Sequence, residues 1–399
     1  MISLATIQKA AEVLRGSVIR TPLVYSPTFS HLTGAEVYLK LENLQETGSF
    51  KLRGASYKIQ NLLGKIGPEG VVAASAGNHA QGVALAAKRA GLKATIVMPE
   101  SASLSKQEAT RNYGGEVLLV GQNIGECIRK AKLLAEEGRV LVHPFDDPDI
   151  IAGQGTIALE ICQDCAAPDL IFVPIGGGGL ISGIASGIKA LHPRVRVIGV
   201  QAAACPSAHQ ALREGKVCRV EAERSIADGI AVKQIGDLPF AIIQEKVDEV
   251  VLVDEDQIAD AMLMLIERKK VLSEGAGAVP LAALLGRSVA IPKGSRVILV
   301  ISGGNLDSPL LERIIRQGLF RNGRIMRFSV CLEDTPGALA SFLAITARLK
   351  ANVLHITHQR SGKNLPVSLS RVEIELETRG PAHVEEVLQE LQREGYELH

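Results

Sequence analysis

At 399 residues the chain is longer than one ordinary core can organise, so two or three domains are expected. Hydrophobic residues at 46% against 22% charged are the proportions of a globular protein. A formal net charge of +1, with no basic run or aromatic-basic stripe, removes the electrostatic case for nucleic acid or anionic membrane as a partner.

Residues 1 to 15 read as an amphipathic helix carrying Leu4, Ile7, Ala11 and Leu14, not as a signal peptide. Residues 36 to 42 read as a strand that runs into Gly48-Ser49-Phe50-Lys51-Leu52-Arg53-Gly54. Ser49 is a suitable N-cap, and Leu52, Ala55, Ile59 and Leu62 follow at helical spacing, so Lys51 is expected in a first turn. An ammonium is misplaced there. The helix dipole and the apolar neighbours Phe50 and Leu52 both favour the neutral amine, the form that attacks carbonyls. A solvated surface lysine is the ordinary alternative.

Short apolar runs then alternate with helical patterns at 71–74, 94–98, 117–120 and 140–142, and again at 170–175, 195–200, 250–253 and 297–301. That alternation predicts an α/β fold of parallel sheets covered by helices. The uncharged stretch 170–188 is broken by Pro174 and four glycines, which predicts strand, loop and helix in place of a membrane span. Cysteines fall at 127, 162, 165, 205, 218 and 331. The pair Cys162-x-x-Cys165 has no second pair or spaced histidines for zinc, and it closes a helix instead of opening one. Both are expected to be incidental thiols of a reducing cytosol.

The character changes near residue 320, at the polar break Arg321-Asn322-Gly323-Arg324. Beyond it come a strand at 328–332, a helix at 338–350, a strand at 353–358, an alternating strand from Val372 and a helix after Pro381. With room for a last strand at Tyr396, the order is the βαββαβ of a ferredoxin-like module.

Three glycine-rich turns accompany Lys51. Ser75-Ala76-Gly77-Asn78-His79 follows one strand and opens a helix, where free N–H groups suit a carboxylate and Asn78 can donate to a phenolate-like oxygen. Gly176-Gly177-Gly178-Gly179 lies between strand and helix, where a bare backbone can close round a phosphate. Ser302-Gly303-Gly304-Asn305 ends a central strand and presents a neutral hydroxyl. A helix cap or an unliganded tight turn would explain each loop alone. Together they are fittings for pyridoxal phosphate.

These stretches, with Leu39–Glu42, Ala227-Asp228-Gly229 and Glu274–Ala278, resemble the threonine dehydratase group of fold-type II pyridoxal-phosphate enzymes. The tail, through Leu332-Glu333-Asp334-Thr335-Pro336-Gly337-Ala338-Leu339, resembles an ACT domain. The resemblance implies a large catalytic domain of 1–45 and 147–320, a small one of 46–146, and a regulatory domain of 321–399. It implies Lys51 as the Schiff-base lysine and Phe50 against the cofactor ring. Asn78 would lie on the ring hydroxyl, Gly176 to Gly179 on the phosphate and Ser302 on the pyridine nitrogen. Ser75, Ala76, Gly77 and His79 would hold the substrate carboxylate, and Pro336 and Gly337 an amino-acid effector such as isoleucine or valine.

The implied activity is that of a threonine ammonia-lyase, cytoplasmic and homo-oligomeric, opening isoleucine biosynthesis and acting also on L-serine. Serine racemases are similar in this body but carry serine where Ala76 stands, so racemisation is disfavoured. Some relatives place a metal-binding acid where Gln201 stands, and no metal is expected. Two other readings share parts of the pattern: another β-elimination or replacement enzyme, and a sensor in which only the ACT module works.

Overall fold

A computed structural model describes residues 2–165, 167–362 and 365–399. In its first unit, residues 1–307, the apolar runs become strands of two sheets. One has six strands in the order Leu23–Tyr25, Glu36–Leu41, Arg296–Ile301, Leu170–Pro174, Arg196–Ala202, Glu249–Val253. All its pairings are parallel except that of the edge strand Leu23–Tyr25. The other, Glu116–Leu119, Ala94–Met98, Val71–Ala74, Val140–Leu141, is parallel throughout. Strands such as Val71–Ala74 and Leu170–Pro174 are buried at every position, which is why they carry no polar alternation. The expected N-terminal helix spans Leu4–Val13 and buries Ile7 and Ala10. Among the described residues, no helix is long and apolar enough to cross a membrane.

The helix Pro148–Asp164 joins the parts that matter for the site. Asp147 caps it by accepting from the amides of Asp149 and Ile150, and Pro148 supplies a first residue with no N–H to satisfy. It packs against the helices Lys51–Leu62 and Gly179–Leu191. Glycines allow the backbones to touch: a Cβ on Gly153 would lie 2.7 Å from the Gly54 Cα, and one on Gly183 would lie 2.3 Å from the Ile151 carbonyl oxygen.

Beside that crossing lies a buried ionic network. Arg53, fully buried, donates from Nε and Nη2 to the two oxygens of Glu42, each at 2.8 Å. It also donates from Nη1 to Glu160 at 2.6 Å and to Thr156 at 3.2 Å. Lys40 pairs with Glu160 and donates to the Thr21 carbonyl at 2.6 Å. Burial alone would raise the Glu42 carboxyl, but the Arg53 guanidinium and its hydrogen bonds hold it below the ordinary range. Two cations thus balance two carboxylates, and the strand Glu36–Leu41, the helix Lys51–Leu62 and the central helix are locked in one register.

The second unit begins at Ser308, not at the expected break near 320. The helix Ser308–Arg321 packs on the strand that follows it, and its Arg316 pairs with Glu375 at 2.6 Å. Strands Ile325–Glu333, Leu369–Glu377 and Asn352–Gln359 form an antiparallel sheet in that order. Helices Ala338–Arg348 and Pro381–Arg393 contribute Phe342, Ile345, Val387 and Leu391 to the core of this unit. The expected last strand is reduced to one bridge, Leu398 with Val330.

Replacing Arg53 with methionine should destabilise the first unit by about 3–5 kcal/mol, because Glu42 and Glu160 lose their shared cation. The shift in denaturant midpoint measures this. The Glu42 value is depressed on folding, so its contribution is full above the ordinary carboxylate range. It should fade in the wild type as the pH falls through the lower folded value.

Candidate active site

The loops that end the strands of both sheets enclose a cleft of about 1050 Å³. Phe50, Lys51, Ser75, Ala76, Gly77, Asn78, His79, Gly176, Gly177, Gly178, Gly179 and Ser302 all line it. Pro336 and Gly337 lie in the second unit, at the start of the helix Ala338–Arg348.

Lys51 is the first residue of its helix, as expected, but Ser49 is not the cap. Phe50 occupies that position with helical φ −56° and ψ −21° and makes no side-chain cap. Ser49 is drawn instead into a bridge with Gly303, and the Phe50 N–H donates to the Ser302 carbonyl at 3.0 Å. Backbone pairing to the end of a central strand therefore sets where Lys51 stands. Its Nζ donates to the Pro144 carbonyl at 2.8 Å and lies 5.2 Å from the centre of the Phe50 ring. Burial lowers the amine to about 8, against the opposing pull of Glu274.

Asn78 opens the helix Asn78–Arg89, with Gly77 as the cap residue. The amides of Asn78 and His79 have no protein acceptor among the described residues. The His79 imidazole is occupied by a backbone carbonyl, so the substrate role expected of this loop would fall to its main chain. Its Nε2 is 2.8 Å from the Val142 carbonyl, and burial, aided by Lys51, drives it down to about 3. Only its backbone remains to bind an anion.

The tetraglycine loop likewise leaves all four amides without a protein acceptor among the described residues, at the N-terminus of a 13-residue helix. Gly178 adopts φ +94°. A Cβ on Gly177 would lie 2.3 Å from the Phe145 ring, so part of the glycine requirement comes from packing and not from a ligand. Gln201 supports this wall. Its Nε2 donates to the Ile175 carbonyl at 3.3 Å, and its Oε1 accepts from the amides of Ala208 and His209, each at 2.9 Å.

Glu274 and Asn305 were not singled out as site residues in the sequence. Glu274 is 5% exposed, lines the cleft and accepts from Asn78 Nδ2 at 2.7 Å. Burial and the nearby Asp228 carboxylate raise it to about 8, against Asn78, Lys106 and Lys51. Its only sequence signal was its place in Glu274–Ala278. Ser302 is almost fully buried and carries no charge. At the mouth, Lys106 reaches Asp228 at 3.0 Å.

The cleft thus combines an amine poised near neutrality with two helix starts whose N–H groups are unclaimed, an arrangement suited to a phosphorylated aldehyde and an amino-acid carboxylate. Comparison with known proteins gives the same picture. The chain is 51% identical over 399 residues to an L-threonine ammonia-lyase of Thermotoga maritima, covering 100% of this chain and 99% of that protein. It is 49% identical over 397 residues to an L-threonine ammonia-lyase of Geobacter sulfurreducens, covering 99% and 98%. Among solved structures, a T.th. threonine deaminase matches with TM-score 0.72 and 40% identity, over 76% of this chain and 99% of that one. Maize serine racemase matches with TM-score 0.75 and 35% identity, over 81% and 99%. The model of the family described as pyridoxal-phosphate dependent enzyme matches residues 14–303, and with the cleft built as it is, the chain belongs to that family.

Proposed function

We propose that the chain is a threonine ammonia-lyase that converts L-threonine to 2-oxobutanoate and ammonia, and L-serine to pyruvate and ammonia. The observation that carries the reading is the low-pKa Lys51 amine in one cleft with the unclaimed amides of Gly176–Gly179. The full-length relatives named for this activity support it. Bound pyridoxal phosphate supplies an electron sink for negative charge at the substrate α-carbon. Lys51 would hold the cofactor through its amine and, when free, would take the Cα proton as general base. The four glycine amides receive the phosphate, Asn78 donates to the ring oxygen, and Phe50 packs on the ring. Ser302, being neutral, does not fix a proton on the ring nitrogen, which disfavours a long-lived carbanion and favours loss of the β-hydroxyl. Water lost across Cα–Cβ is regained when the released enamine hydrolyses to the oxoacid and ammonia.

The same reading makes the second unit an ACT-type regulatory module and the enzyme a cytosolic homo-oligomer. Gly337, at φ +92°, caps a helix whose first amides can take the carboxylate of isoleucine or valine. An end product of that kind would restrain the first step of its own synthesis. Racemisation is the competing activity, given the structural likeness to maize serine racemase. Ala76 lines the cleft and has no proton to deliver.

Borohydride reduction and peptide mapping should place the pyridoxyl mass on Lys51, and Lys51→Ala should fold yet lose nearly all turnover. Because burial lowers the amine to about 8, cofactor capture by the cofactor-free protein should accelerate with pH around that value, not near the ordinary lysine range. Stopped-flow absorbance checks it. Chiral chromatography of residual serine during turnover should show little D-serine beside pyruvate; comparable rates would overturn the Ala76 argument. Removing residues 308–399 should leave a lyase whose threonine saturation curve no longer responds to isoleucine or valine. If neither amino acid alters the kinetics of the full chain, the regulatory reading fails.

A further inference from the structure

Asn305 Nδ2 lies 2.7 Å from the Thr47 carbonyl oxygen, 2.8 Å from Asn78 Oδ1 and 3.5 Å from Gln81 Oε1. Asn78 Nδ2 in turn lies 2.7 Å from Glu274 Oε1. The two ends of an asparagine amide are nearly equal in shape, so only hydrogen bonding decides which way each points. A backbone carbonyl can only accept. The end of Asn305 facing Thr47 must therefore be its NH2, and the end of Asn78 meeting that NH2 must be its oxygen. The NH2 of Asn78 is consequently turned toward Glu274, with one N–H on the carboxyl and the second left for a ligand.

Gly48 holds the start of this chain of bonds in place. It adopts φ +71°, a Cβ there would lie 2.3 Å from Asn305 Oδ1, and its carbonyl accepts the Gly304 N–H at 2.9 Å. Glu274 at the far end accepts at Oε1 and so agrees with the direction that Thr47 imposes from the other side.

We propose that Asn305 is a positioning residue that transmits the polarity of the Thr47 carbonyl to Asn78, so that Asn78 presents an N–H and never an oxygen to the cofactor. This rests on the reading of Asn78 as donor to the cofactor ring.

The test uses full-length protein and pyridoxal phosphate titrated into the cofactor-free form. The readouts are the dissociation constant, the absorbance maximum of the bound cofactor and the melting temperature before cofactor is added. Asn305→Asp keeps the shape but cannot donate to Asn78. It should weaken cofactor binding about tenfold and move the absorbance maximum, with the cofactor-free melting temperature little changed. Should Asn305→Asp fail to fold, Asn305→Ser, too short to reach Asn78, is read the same way. Wild-type affinity and spectrum in the Asn305 variants would overturn the proposal. Asn78→Ala separates the levels. If it too leaves spectrum and affinity unchanged, the donor reading of Asn78 falls; if it is severe while Asn305→Asp is silent, only the polarity relay falls.

Discussion

The buried Arg53 guanidinium is the interaction on which the catalytic unit depends. It sits two residues after Lys51 and binds Glu42 from the turn just after the strand Glu36–Leu41 and Glu160 from the central helix. A buried ion pair gains little net stability over a well-packed apolar pair, because desolvation consumes most of the Coulombic attraction. What the network supplies is registry. An apolar contact would tolerate a helix sliding along or turning about its axis; a planar guanidinium shared between two carboxylates does not. Lys51 emerges from the first turn of that same helix, so its reach into the cleft follows from a bond on the other side of the backbone.

Desolvation governs the cleft as well, in the opposite sense. Lys51 and His79 are both lowered and Glu274 is raised, with burial the largest cause each time. Three ionisable side chains around one cavity are thereby moved toward their uncharged forms. Beside them stand the unclaimed backbone amides at two helix starts, a fixed positive field, while the Lys106–Asp228 pair stays at the mouth. A phosphate placed on those amides would need no cation next to Lys51, and its neutral amine would be preserved.

Much of this was legible in the sequence because the governing features are local. Strand and helix alternation exposed the α/β body, and the three glycine-rich turns and Lys51 meet in one cleft because strand ends in such sheets converge. The misses have physical causes. Ser49 has the composition of a cap, but pairing with Gly303, 254 positions away, takes its backbone instead. Nothing local to His79 shows that its ring meets the carbonyl of Val142, 63 positions away. The edge strand Leu23–Tyr25, at three residues, is too short for any periodicity to show. Arg53 and Glu42 look like surface charges until tertiary structure brings Glu160 and Lys40 to them. The fourth strand of the tail is a single bridge, Leu398 with Val330, too short for a pattern to announce it.

The stretch from Val142 to Asp147 shows the limit of such reading most clearly. Past the end of the apolar run at Val142 it carries none of the motifs, yet it meets three sides of the cleft. The Val142 carbonyl holds His79, the Pro144 carbonyl holds Lys51, and Phe145 packs into the space that Gly177 leaves open. Asp146 accepts from the amides of Asp237 and Leu238, and Asp147 caps the central helix. Two of these contacts use main-chain carbonyls, which any residue possesses, so they leave no mark on side-chain identity. The tetraglycine loop inverts the case: its composition is conspicuous, but part of it answers to the Phe145 ring. Conspicuous residues and inconspicuous backbone are complementary halves of one packed surface, and only the three-dimensional arrangement shows which half imposes the constraint.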